Sequence, residues 1–174
     1  MKEKNGQVWV ETVLYTVIGL GLIALVLGFV MPKIQITKDK LLVEQSIYLM
    51  QSFDEKIQEV ESQGDGNSRT FEFTMKKGEL HIKPSTKEIR LILEGLKEPY
   101  SEPDYPIPYK KVMVVSAKGQ KTSSANLTLK YENFILKYDD NILTEKVFSS
   151  AQTPYHFSIT NNKNDINIIE VSKG

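Results

Sequence analysis

The chain has no cysteine and only two histidines, His81 and His156, in 174 residues. Without a thiol it makes no disulfide, no zinc–thiolate centre and no cysteine nucleophile. Both histidines fall in segments that alternate like strands, with no ligand spacing around them, so they read as strand residues rather than metal ligands or catalytic bases. An excess of either charge is missing too: 22 basic side chains balance 22 acidic ones, which leaves no global basic field for nucleic acid. Internal repeats and low-complexity tracts are also lacking. The expectation is therefore no enzyme, no catalytic residue, no metal, no cofactor and no nucleic-acid partner.

What the chain does have is a long uncharged run. Thr12 to Met31 is rich in Leu, Val, Ile and Gly, and after Thr12 its only polar side chains are Tyr15 and Thr16. As a helix it covers about 30 Å, the thickness of the hydrocarbon layer. A buried core helix would carry a polar stripe, and this run has none. No A-x-A pattern follows it, so cleavage after the run is not expected and the segment stays as an anchor or packing element. Lys2 and Lys4 before it, and Lys33, Lys38 and Lys40 after it, leave orientation open. One acid, Glu11, stands at the mouth of the run.

Helical periodicity continues beyond it, with Leu42, Leu49, Phe53, Ile57 and Val60 on one face. Pro32 removes the amide that would bond to the Gly28 carbonyl, so the helix either kinks there or ends and restarts. The signal stops at "QGDGNS", where Gly64, Asp65, Gly66 and Asn67 supply turn chemistry; "DGN" lacks the further acids of a calcium loop. From there the period is two. Phe71, Phe73 and Met75, then Leu80 and Ile82, then Ile89, Leu91 and Leu93 alternate, and "KVMVVS", "ANLTLKY", "NFILKY", "YHFSIT" and "INIIEV" follow. About eight strands with little intervening helix predict an antiparallel sandwich-like head, able to fold from about Arg69 onward without the helix. The fold class expected is α+β, divided into residues 1–6, 7–31, 32–63 and 64–174.

Two segments of the head stand apart. Pro99, Pro103, Pro106 and Pro108 interleave with Tyr100, Tyr105 and Tyr109, which reads either as a stiff crossover with its tyrosines packed down or as an exposed contact loop. "NLT" at Asn126 matches a glycosylation acceptor, though in a predicted strand.

The opening "NGQVWVE", with Gly6, Gln7, Glu11 as the fifth residue after the glycine, and then the apolar run leading into an amphipathic helix and a β head, resembles the type IV pilins. More narrowly it is similar to the archaeal pilin and archaellin group, whose class III signal peptides are cut at the start of the hydrophobic helix. The resemblance implies that residues 1–6 are a leader, that a prepilin peptidase cuts after Gly6 and that Gln7 becomes the mature N-terminus. It further implies an anchor with its N-terminus inside and its head outside, assembling with other pilin subunits into a cell-surface filament, as a major or minor pilin or an adhesin.

Gly21, Ala24 and Gly28 form a small-residue stripe along one face, the kind that lets membrane helices approach closely. Two readings remain: a structural subunit of an extracellular filament, and a single-span anchored β-domain protein that binds a cell-envelope partner or ligand without assembling. Glu11 separates them, because a simple anchor gains nothing from an acid at the mouth of its span.

Overall fold

The computed structural model describes residues 4–171, with side chains from residue 8 onward. The expected processing site, Gly6 and Gln7, lies outside the residues described with side chains. The fold is α+β: one N-terminal helix, α1 (Lys4–Ser62), followed by a β-rich head. α1 carries on through Pro32 rather than ending there, at the loss of one backbone bond to the Gly28 carbonyl. It stops where Gly64 and Gly66 adopt left-handed φ of 86° and 80°. Its last carbonyls are met from the head, where Asn161 Nδ2 donates to Val60 O at 3.2 Å and to Glu61 O at 3.3 Å.

The chain forms two compact units, Met1–Lys38 and Asp39–Gly174. The boundary falls inside α1, not at the Gly64 turn where the residue pattern changes, because the second part of the helix belongs to the core of the head. Val43, Ile47, Met50, Phe53, Ile57 and Val60 are all buried, at successive spacings of four, three, three, four and three. The expected face is offset slightly: Leu42 and Leu49 are only half-buried at its margin.

The strands are β1 (Ser68–Phe73), β2 (Glu79–Lys83), β3 (Glu88–Leu96), β4 (Ile107–Tyr109), β5 (Val112–Lys118), β6 (Ser123–Lys130), β7 (Ile135–Tyr138), β8 (Lys146–Ser149), β9 (Tyr155–Asn162) and β10 (Asp165–Glu170). They form a four-stranded sheet in the order β1-β9-β10-β7 and a six-stranded sheet in the order β4-β5-β6-β3-β2-β8. The larger sheet is antiparallel throughout. The smaller one is not, since β7 runs parallel to β10 with Ile135 opposite Asp165 and Tyr138 opposite Ile168. That one pair departs from the antiparallel pattern expected of the head. The cause is the route of the chain, which leaves the small sheet after β7, adds β8 to the far edge of the large one, and then returns.

Alternation puts Leu80, Ile82, Leu91, Leu127 and Leu129 on the inner face of the large sheet. Phe53 of α1 lies 5.2 Å from Phe71, 5.7 Å from Phe73 and 5.7 Å from Phe157, ring centre to ring centre, which ties the helix to the small sheet. Phe148 of β8 meets Phe157 edge-on at 5.0 Å and joins the two sheets. Tyr131, fully buried, donates to Asp54 Oδ1 at 3.0 Å, and Lys111 lies over its ring at 4.3 Å. The core thus has three walls, the two sheets and the buried face of the helix.

Candidate functional site

The apolar residues in the two parts of α1 are treated in opposite ways. From Val8 to Gln35 every residue is exposed except Gly19, which is half-buried. Between Val13 and Met31 fourteen large apolar side chains are exposed. At about 1.5–3 kcal/mol for each, withdrawing them from water is worth roughly 20–40 kcal/mol, more than the whole stability of an ordinary domain. No wall of this chain covers them among the described residues, and the helix is long and apolar enough to cross a membrane. A long apolar helix joined to a β-sheet head fits a membrane-anchored β protein.

The details of the run suit an apolar medium. Thr12 Oγ1 donates to Val8 O at 2.9 Å and Thr16 Oγ1 to Thr12 O at 2.8 Å, so both hydroxyls are satisfied within the helix. Glu11 is exposed one turn from Gln7, at the start of the run. Gly21, Ala24 and Gly28 are exposed on one face, and a Cβ added at Gly21 or Gly28 would meet no atom within 4 Å. Nothing among the described residues therefore asks for glycine at either position.

Elsewhere the expected residues are placed as follows. Asn126 sits within β6 between Val115 of β5 and Ile92 of β3, half-buried on the outer face of the large sheet rather than in a loop. His81 lies 2.6 Å from Glu145 and 3.6 Å from Glu79, and His156 lies 3.4 Å from Glu72, each imidazole largely covered and facing a more exposed carboxylate. The hydrogen bonds from His81 and then Lys83 hold Glu145 below the usual carboxylate range. Among the described residues no group of three or more His, Asp or Glu is arranged to hold a metal ion.

The proline–tyrosine segment divides between its two readings. Tyr100 and Tyr109 pack down, their hydroxyls 3.2 Å apart, whereas Tyr105 stays 62% exposed. Burial, with the Tyr109 hydrogen bond second, raises the Tyr100 phenol above its ordinary value. These two tyrosines and Glu44, Tyr48 and Gln51 of α1 border a groove of about 220 Å³. Sequence reasoning missed the helix side of that groove, although Tyr48 among the polar residues of an amphipathic helix was a signal for it. It also missed Asp39, 6% exposed, whose Oδ2 accepts the Lys97 N–H at 2.7 Å and pins the first residue of the second unit to the end of β3.

Comparison with protein-family models, with curated proteins and with solved structures gives no match to this chain.

Proposed function

We propose that the chain is a pilin-like structural subunit of an extracellular filament of the archaeal type IV kind. A prepilin peptidase cuts it after Gly6, α1 holds it in the membrane with its head outside, and it then assembles with other pilin subunits through that helix, as a major or minor pilin or an adhesin. One observation carries this reading: the run from Val13 to Met31 is uncovered all round and is preceded by the carboxylate of Glu11. A helix apolar on every side needs a surrounding made of lipid or of other helices, and a filament subunit uses each in turn. The small face of Gly21, Ala24 and Gly28 supports close approach of a neighbouring helix. Unlike surfaces joined head to tail need not close into a ring, and an open helical filament follows.

The acid has a role only in assembly. Cutting after Gly6 creates an α-amino group on Gln7, with a reference pKa of about 7.7–8.0, largely positive at neutral pH. Between apolar helices an unpaired carboxylate is costly and one paired with an amine is much less so; we assign the Gln7 amine of a neighbouring subunit as the partner of Glu11. The pairing rewards docking and sets axial register.

The second reading, a non-assembling single-span protein whose β head binds an envelope partner or ligand, is supported by the same uncovered helix and leaves Glu11 without use. The ratio of sheared filament to membrane-bound protein separates the two. Glu11→Gln is expected to lower that ratio at least tenfold while leaving insertion and head folding intact, and Glu44→Gln, on the exposed side of α1, leaves it unchanged. Glu11→Gln assembling like the parent would favour the plain anchor. Mass analysis of the assembled protein is expected to place its first residue at Gln7; a retained Met1 or a start beyond Met31 counts against the filament reading.

A further inference from the structure

Where the chain enters the second unit, the surface is basic in a protein that is neutral overall. The Lys97 amide bonded to buried Asp39 opens a polar cleft of about 470 Å³, whose other walls include Ser101, Lys118, Gln120, Lys121 and Thr122. Lys118 closes β5, and Gln120 to Thr122 form the turn into β6. Glu98 is the one acid among the described residues that line the cleft. The turn is tight: Gly119 N–H donates to Thr122 O at 3.0 Å, and a Cβ on Gly119 would stand 2.5 Å from that oxygen. A second open cleft, about 610 Å³, lies against the same turn and brings in Glu94 and Gly95. Lys77 Nζ reaches the Gly95 carbonyl at 3.1 Å. Three exposed lysines, 97, 118 and 121, thus line this end with one exposed acid, Glu98, and the buried Asp39 carboxylate on the Lys97 amide, while Lys77 lines a neighbouring cleft with Glu79 and Glu94.

We infer that this basic end is a docking surface for the anionic headgroups of the membrane in which α1 is anchored, an inference that rests on the membrane reading above. The chemistry fits a negatively charged oxygen ester on a polar headgroup. Lysine offers a mobile point charge without a fixed fork, which suits headgroups that diffuse, and the Ser, Thr and Gln side chains add donors for ester and hydroxyl oxygens. Proximity fits as well. Only the segment from Met31 to Asp39 joins the apolar run to Asp39, whose carboxylate holds the Lys97 amide, a chain length of about 28 Å even if fully extended. A tether that short gives the headgroups a high effective concentration, so weak individual contacts suffice. Each lysine near an anionic surface adds roughly a fivefold preference, lost over a screening length of about 8–10 Å in ordinary salt.

The test uses the full chain in nanodiscs of phosphatidylcholine alone and of phosphatidylcholine with about one-third phosphatidylglycerol, read by amide hydrogen exchange. With phosphatidylglycerol present, the amides of Ser101 and of Gln120 to Thr122 are expected to exchange on the order of tenfold more slowly. The effect should vanish at high salt and in the Lys97→Gln, Lys118→Gln, Lys121→Gln variant, and survive when the same three are Arg. Equal exchange in both discs, or protection untouched by the triple Gln variant, overturns the inference while leaving the anchor reading in place. Slowing by glycerol phosphate in discs without anionic lipid, and none from phosphatidylglycerol itself, would make this a soluble-anion site instead. Protection that follows the number of chains per disc would point to an acidic face of a second copy. A chain that fails to co-purify with either disc removes the span, and the headgroup surface with it.

Discussion

Val30 and Val43 lie on the same helix, yet Val30 is 43% exposed and Val43 is fully buried. The difference is not in the apolar residues but in what separates them. Around Val43 polar residues fill the positions between buried ones, so a single side of the helix is apolar and one chain can cover it with two sheets. In the run from Val13 to Met31 no side is polar beyond Tyr15 and Thr16, and a wall on one side would leave the rest wet. Only an environment that surrounds the helix can satisfy it. One helix thus carries a half built for its own chain and a half built for something outside it.

Removing the buried half of α1 should have the largest effect. Residues 69–174 expressed alone are expected to lack a fixed tertiary structure, whereas residues 39–174 fold as a soluble unit. Six buried helix side chains at about 1.5–3 kcal/mol each amount to as much as a domain's entire stability. Near-ultraviolet circular dichroism and urea titration of the two fragments decide it, and a cooperative transition from the shorter fragment would refute the three-walled core.

A single ring sharpens the contrast. Phe53→Ala removes the aromatic group shared by Phe71, Phe73 and Phe157, and should cost the second unit about 3–5 kcal/mol. Phe29→Ala, on the uncovered half, should leave the stability of that unit within about 0.5 kcal/mol. Urea midpoints of both variants in detergent give the comparison directly.

Smaller again is the anchoring of the first buried residue. Asp39→Ala leaves the Lys97 amide without its acceptor and is expected to cost about 1–3 kcal/mol, with faster hydrogen exchange at Lys97 as the local signature.

The smallest effect is one of pH. Burial, and then Asp54, hold the Tyr131 phenol above its ordinary value. The unfolded chain releases that proton near pH 10, while the folded unit keeps it, so stability is whole below about pH 10 and falls above it. Tyr131→Phe should make the alkaline fall shallower by one proton, with Tyr100 and Tyr138, both raised chiefly by burial, supplying the remainder. It should also lose about 1 kcal/mol at neutral pH, from the hydrogen bond to Asp54. Urea midpoints at about pH 9 and about pH 11 measure the slope.

Much of the architecture was legible because periodicity reports burial. The apolar run, the helix end at the Gly64 turn and the strands around Leu80, Leu91, Leu127, Ile159 and Ile168 all stand as read. β4 was hidden by its prolines, which are tolerated because Pro108 sits on an edge strand paired only to β5. β8 was hidden by its brevity, with Phe148 its only buried residue. The parallel pairing of β7 with β10 could not be read, since alternation is identical in either direction. The residues of the candidate site were named from the sequence, but what distinguishes them, the lack of any covering wall in a helix whose other half has two, depends on the tertiary structure. The basic end was invisible for a related reason: Lys97, Lys118 and Lys121 are scattered along the chain, and only the β5–β6 hairpin and the end of β3 bring them together.

The pairing of β1 with β9 also bears on how the molecule is made. Ser68 of β1 waits for Thr160, and Phe73 for Tyr155, so the small sheet cannot begin until nearly the whole chain has been synthesised. Contacts this distant in sequence make folding slow. At about 5–20 residues per second the side of α1 that packs on the small sheet stays uncovered for roughly 5–20 s after Val60 emerges. During that interval Phe53 and its neighbours lack their small-sheet partners, and the nascent chain has two sticky surfaces to keep apart. The last hairpin, β9 with β10, therefore acts as a timing element: its arrival withdraws one of those surfaces and leaves the other.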